Sequence, residues 1–80
     1  MEVKILAFGI AKEIIGAPSL TFDLQENATV GELKNILEEK YHPLAKLSSF
    51  LLAVNDEYSE ATDAIHPGDE IAIVPPVSGG

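Results

Sequence analysis

The stretch TVGELKNILEEKY, residues 29–41, decides how the rest of this chain is read. Thr29 and Glu32 stand at capping-box spacing, where a threonine hydroxyl and a glutamate carboxylate each satisfy a backbone amide at a helix start. Val30, Leu33, Ile36, Leu37 and Tyr41 then recur at helical intervals and form one apolar stripe. Lys34 and Glu38 fall on the outer face. Pro43 stops the helix near His42. The pattern predicts one amphipathic helix of about three turns with a single face to bury.

The segments on either side supply that surface. Upstream, VKILAF (residues 3–8) is a short apolar run with β-branched residues and reads as a strand. GIAKEIIGAPS is punctuated by Gly9, Gly16 and Pro18, with AKEII as a helical turn. LTFDL (residues 20–24) alternates apolar and polar and reads as the hairpin partner of the first strand. Downstream, PLAKLSS is a connector with one helical turn, and FLLAVN (residues 50–55) is a third strand. DEYSEATDA is polar and reads as a loop, and HPGDE as a turn centred on Pro67 and Gly68. EIAIV (residues 70–74) is the last strand.

Strand, strand, helix, strand, strand is the order of a β-grasp or ubiquitin-like fold. That is an α+β domain, a mixed sheet of four or five strands with one main helix packed on one face and the first and last strands side by side. A ferredoxin-like plan needs a second full helix, and DEYSEATDAI has no stripe for one. The expected division is a β-grasp domain over residues 1–74 and an extended, flexible tail over residues 75–80.

Period-two alternation sorts the strand residues. Val3, Ile5, Ile71 and Ile73 are expected against the helix. Leu6, Phe8, Ala72 and Val74 are left on the open face as an apolar patch beside the tail, a candidate partner interface.

Eighty residues make one domain with a thin stability margin. The absence of cysteine excludes a disulfide framework, a zinc ribbon and a thiol nucleophile. A formal charge of −8 argues against nucleic acid or an anionic membrane as partner, and suits solubility or docking to a basic protein surface. No apolar run approaches membrane-helix length and the start is a poor signal peptide, so a cytoplasmic location is expected. His42 and His66 are read as a helix-end and a turn residue, with no metal expected. Glu38-Glu39, Asp56-Glu57 and Asp69-Glu70 are read as solvated acidic pairs.

The chain closes on PPVSGG. Pro75 and Pro76 lack amide donors and end strand pairing. Two prolines favour a stiff, extended chain. Val77 and Ser78 follow, Ser78 as a small spacer with no base beside it. Gly79 and Gly80 carry no Cβ and so fit a narrow channel. The distinctive reactive group is then the carboxylate of Gly80. As an anion it is a poor electrophile, and adenylation by ATP would supply a leaving group. Ordering six such residues costs roughly 1–2 kcal/mol each, so the tail alone binds weakly and the rigid patch beside it would offset that cost.

The chain resembles the small subunit of molybdopterin synthase, the MoaD family of ubiquitin-like sulfur carriers. PGDEIAIVPPVSGG (residues 67–80) approximates that family's closing motif, LAFGIAKEIIG its opening and AVN its third strand. Lys12 stands where the family often has arginine, Gly9 where it has alanine, and Ile73-Val74 where many members carry aromatic residues. The resemblance implies a non-catalytic carrier with no tightly bound cofactor. Gly80 would be adenylated by an activating enzyme of the ubiquitin-activating type, which uses ATP, and converted to a thiocarboxylate. The tail would then enter the large catalytic subunit, in an assembly of two small and two large subunits, and donate sulfur for the dithiolene of molybdopterin. Alternatives are a carrier for thiamine thiazole or another thiocarboxylate pathway, a ubiquitin-like protein modifier, and a non-covalent adaptor.

Overall fold

The computed structural model describes residues 1–47 and 50–74. In chain order these form β1 (Glu2–Ala7), α1 (Ile10–Ile15), β2 (Ser19–Asp23), α2 (Val30–Lys40), α3 (His42–Ala45), β3 (Leu51–Val54), β4 (Glu57–Tyr58) and β5 (Glu70–Val74). The strands make one mixed sheet in the order β2-β1-β5-β3-β4. β1 and β5 run parallel at its centre, Leu6 opposite Ala72 and Ala7 opposite Ile73; the neighbouring pairs are antiparallel. This is the expected β-grasp arrangement, with five strands.

α2 starts where the capping box places it. Glu32 N–H donates to Thr29 Oγ1 at 3.2 Å and Thr29 N–H donates to Glu32 Oε1 at 3.3 Å. The next amides are satisfied from further away in the chain. Val30 N–H donates to the Asp63 carbonyl and Gly31 N–H to the Ala61 carbonyl, both at 2.9 Å, while Ile65 N–H donates to Ala28 O at 2.8 Å. The polar segment before β5 is therefore a strap that ties the helix start to the sheet. It passes close: a Cβ on Gly31 would lie 3.1 Å from both the Cβ and the carbonyl oxygen of Ala61.

Val30, Leu33 and Leu37 of α2 are buried against Val3, Ile5, Ala7, Leu52, Ile71 and Ile73 of the sheet and against Phe50. The four residues expected against the helix are thus where the alternation put them. Ile36, read as part of the stripe, is 38% exposed, and Tyr41 is partly buried at the C-cap. α2 ends at Lys40, and Pro43 sits in the first turn of α3, where a missing N–H costs nothing. His42 opens α3 rather than closing α2.

Other boundaries shift for local reasons. AKEII is part of a six-residue helix, closed by Gly16 at φ 86°, a left-handed C-cap that glycine enters without strain. Phe8 lies one residue beyond β1. DEY is not loop throughout, because Asn55 and Asp56 both take positive φ (51° and 71°), the geometry of a two-residue primed hairpin turn, and fold Glu57 and Tyr58 back onto β3.

Candidate functional site

Because β1 and β5 are parallel, their C-terminal ends emerge at the same end of the sheet. β5 ends there at Val74, next in sequence to the tail. Pro75, Pro76, Val77, Ser78, Gly79 and Gly80 lie outside the described residues, so the site is built here from the surface that leads to them.

The face of the sheet opposite α2 carries that surface. Leu6, Ala72 and Val74 alternate with the buried residues of their strands and are half-buried. Phe8 is 54% exposed just past the end of β1. Register extends the patch to residues the sequence reading did not name. Ala72 pairs with Ala53, Ala53 with Tyr58, and Val74 with Leu51, which places Ala53, Tyr58 and Leu51 on the same face. Leu51 and Tyr58 are 53% and 70% exposed. A row Leu6–Ala72–Ala53–Tyr58 thus crosses four strands, and Val74–Leu51 lies beside it toward the tail. The signal for Leu51 was available: in FLLAV, Phe50, Leu52 and Val54 share the helix side, which leaves Leu51 and Ala53 on the other.

The patch has a polar margin. Lys4 sits opposite Glu70 across β1 and β5, and opposite Thr21 on β2. Beyond Glu70, the turn before β5 is held by Asp69. Its carboxylate accepts from His66 N–H at 2.8 Å and from Asn55 Nδ2 at 3.1 Å, while Asn55 Oδ1 accepts from Glu70 N–H at 3.1 Å. Asp69 is therefore not a solvated acid, as its pairing with Glu70 in sequence suggested; it fixes the entry of β5. His66 Nδ1 is 3.8 Å from Asp69 Oδ2 and its ring is largely exposed. Around Lys12 lies a shallow depression formed by Gly9, Glu13, Gly16, Ala17 and Pro18.

Among the described residues no polar or charged side chain is buried. None of their histidine and carboxylate groups is clustered as metal ligands. No described helix is long and apolar enough to cross a membrane. The open face of this body is an apolar surface suited to association.

Residues 5–80 match the sequence profile of the ThiS family. The chain belongs to the ThiS family. Among its relatives, the molybdopterin synthase sulfur carrier subunit of Dictyostelium discoideum is 42% identical over 85 residues, covering 99% of this chain and 96% of the relative. In a protein–protein complex of subunits 1 and 2 of molybdopterin-converting factor from Helicobacter pylori, a chain 28% identical aligns over 100% of both chains with a TM-score of 0.69. Small archaeal modifier protein 1 from Methanosarcina acetivorans is 26% identical, with a TM-score of 0.78 over 99% of this chain and 96% of that one. The fold thus accommodates both a converting-factor subunit and a modifier, and does not by itself separate those roles. Sequence identity over the whole length favours the carrier subunits.

Proposed function

We propose that this ThiS-family chain is the small, sulfur-carrying subunit of a molybdopterin synthase and not itself the catalyst. The observation that carries the reading is its full-length identity with molybdopterin synthase sulfur carrier subunits, on a chain that ends in PPVSGG.

In the reaction sequence this implies, the ionised carboxylate of Gly80 attacks the α-phosphorus of ATP on an adenylating enzyme and pyrophosphate leaves. The acyl adenylate is now a competent electrophile. A sulfide-level sulfur nucleophile adds to its carbonyl carbon and AMP departs, leaving a thiocarboxylate. In the large subunit that sulfur attacks a carbon of the pterin precursor and forms a C–S bond, while the C–O bond at that carbon breaks and the oxygen substituent leaves with the electron pair. Water then cleaves the resulting thioester and returns the carboxylate. Gly79 and Gly80 let the chain pass a narrow channel, and Pro75 and Pro76 keep it extended on the way in. Leu6, Phe8, Leu51, Ala72, Val74 and Tyr58 dock the body, and the full assembly holds two small and two large subunits.

The two stages use one chain end and one surface, which gives the test. Incubation of the full chain with the adenylating enzyme, ATP and a sulfur donor should raise its intact mass by sulfur minus oxygen. Removing Gly80 should abolish that gain and leave the fold unchanged. Isopeptide adducts on lysines of other proteins, with no thiocarboxylate, would overturn the carrier reading in favour of a modifier.

A further inference from the structure

β2 is an outer strand of the sheet, and its outward backbone groups are free to pair with a copy of itself. Leu24 N–H donates to Met1 O at 2.8 Å and Ala7 N–H to Pro18 O at 2.9 Å. Both bonds continue the β1–β2 register in which Val3 faces Phe22 and Ile5 faces Leu20. In an antiparallel ladder, hydrogen-bonded and non-bonded pairs alternate. The backbone groups of Leu20 and Phe22 therefore point into β1, and those of Ser19, Thr21 and Asp23 point outward. No described backbone group bonds to them from outside the sheet, and all three residues are exposed. The strand contains no lysine, proline or bulge; of the devices that blunt an edge it has its short length and one charge, Asp23, whose carboxylate is paired with the Met1 ammonium at 3.2 Å.

We propose that two copies of this chain associate through antiparallel pairing of their β2 strands about a two-fold axis at Thr21. Registers centred on Leu20 or Phe22 leave part of the outward set unpaired; the Thr21 register pairs all of it. It sets Thr21 against Thr21, Ser19 against Asp23, and Leu20 against Phe22 on the helix side, an aromatic–aliphatic contact of the kind that stabilises sheets. Asp23 faces no acid. The aromatic member Phe22 already lies beneath Lys40, whose Nζ is 5.2 Å from the ring centroid.

The two-fold axis runs perpendicular to the sheet, so both open faces stay on one side and both α2 helices on the other. β5 and the docking patch are separated from the junction by β1 and remain accessible. Five-residue strands bury less surface than a stable dimer needs, so the pairing is weak. With −8 on each copy, long-range repulsion opposes it and salt strengthens it, the reverse of an ion-paired interface.

Sedimentation equilibrium and amide NMR on the full chain, over a wide concentration range at low and high salt, test this. Expected is a dimer that grows with concentration and with salt, with shifts and amide protection centred on residues 19–23. Thr21→Pro removes one outward N–H without touching the β1 ladder, and Thr21→Lys sets two ammonium groups face to face. Each should weaken association at least tenfold while the circular dichroism spectrum stays native. A monomer at every concentration and salt, association undiminished in both variants, or shifts centred on Leu6, Leu51 and Val74 would overturn the proposal. So would amides of residues 19–23 that become protected only on adding a different protein.

Discussion

Ile73 and Val74 are neighbours in β5, equally apolar, and sit on opposite faces of one sheet. Ile73 is fully buried under α2, while Val74 is half-buried on the open side beside exposed Leu51. The same alternation repeats in β1, where Ile5 is fully buried and Leu6 is not. One face spends its apolar side chains on holding the domain together. The other keeps them available, a costly arrangement for a chain this small unless another surface covers it. What separates the packed face from the open one is a one-residue step in phase.

The sharpest way to break that comparison is to place the same charge on each face. Ile73→Asp puts a carboxylate where no polar partner exists and removes core packing, each a source of large destabilisation. A loss of about 4 kcal/mol or more is expected, comparable with the whole stability of an 80-residue domain, and urea denaturation should find little cooperative folding left. Val74→Asp should cost about 1 kcal/mol, from lowered strand preference, yet weaken binding to the large subunit proposed as its partner by about 2 kcal/mol or more, the size of a lost interface anchor. Calorimetric titration beside denaturant melts reads both. If Val74→Asp unfolds the chain as readily as its neighbour does, the two faces are not divided in the way described.

A smaller effect tests what holds α2 in place. Gly31→Ala raises intrinsic helix preference by about 1 kcal/mol, so a helix judged alone becomes more stable. Here the new Cβ would press on Ala61 at 3.1 Å, on backbone as well as side chain. The strap would have to move, and the bonds from Val30 and Gly31 to Asp63 and Ala61 move with it. Net destabilisation of about 1–2 kcal/mol is expected, with faster amide exchange at Val30, Gly31 and Ile65. A more stable variant would show that the strap yields freely.

These cases also mark what the sequence made legible. The capping box and stripe of residues 29–41 are local signals, and α2 forms where they place it. The face assignment of Val3, Ile5, Ile71 and Ile73 needed only period two and one helix to cover them. β4 was missed because two residues carry no periodicity; the local signal was the pair Asn55-Asp56, residue types that tolerate the positive φ by which the chain turns back. Ile36 sits at the border of the stripe, where helix rotation on the sheet, not spacing, decides burial. Tyr58 joined the open face through register with Ala53, which no single strand records. The strap over Gly31 was invisible because DEYSEATDA is polar side chain by side chain, and what it contributes is backbone carbonyls.

The weakest perturbation asks how much the local signal matters once the strap exists. Thr29→Ala removes the hydroxyl that accepts from Glu32 N–H and donates to Glu32 Oε1, while the backbone N–H of residue 29 still donates to that carboxylate. An isolated N-cap of this kind is worth about 1 kcal/mol. Val30 and Gly31 keep their carbonyl acceptors on the strap, so only one amide loses a bond, and at an exposed position water replaces part of it. The expected loss is therefore about 0.5–1 kcal/mol, read as a shift in urea midpoint at unchanged slope. Combined with Gly31→Ala the losses should exceed their sum, because the second substitution loosens the strap that shields the first. Strict additivity would mean that cap and strap hold the helix start independently, and that the sequence signal alone is enough to begin α2.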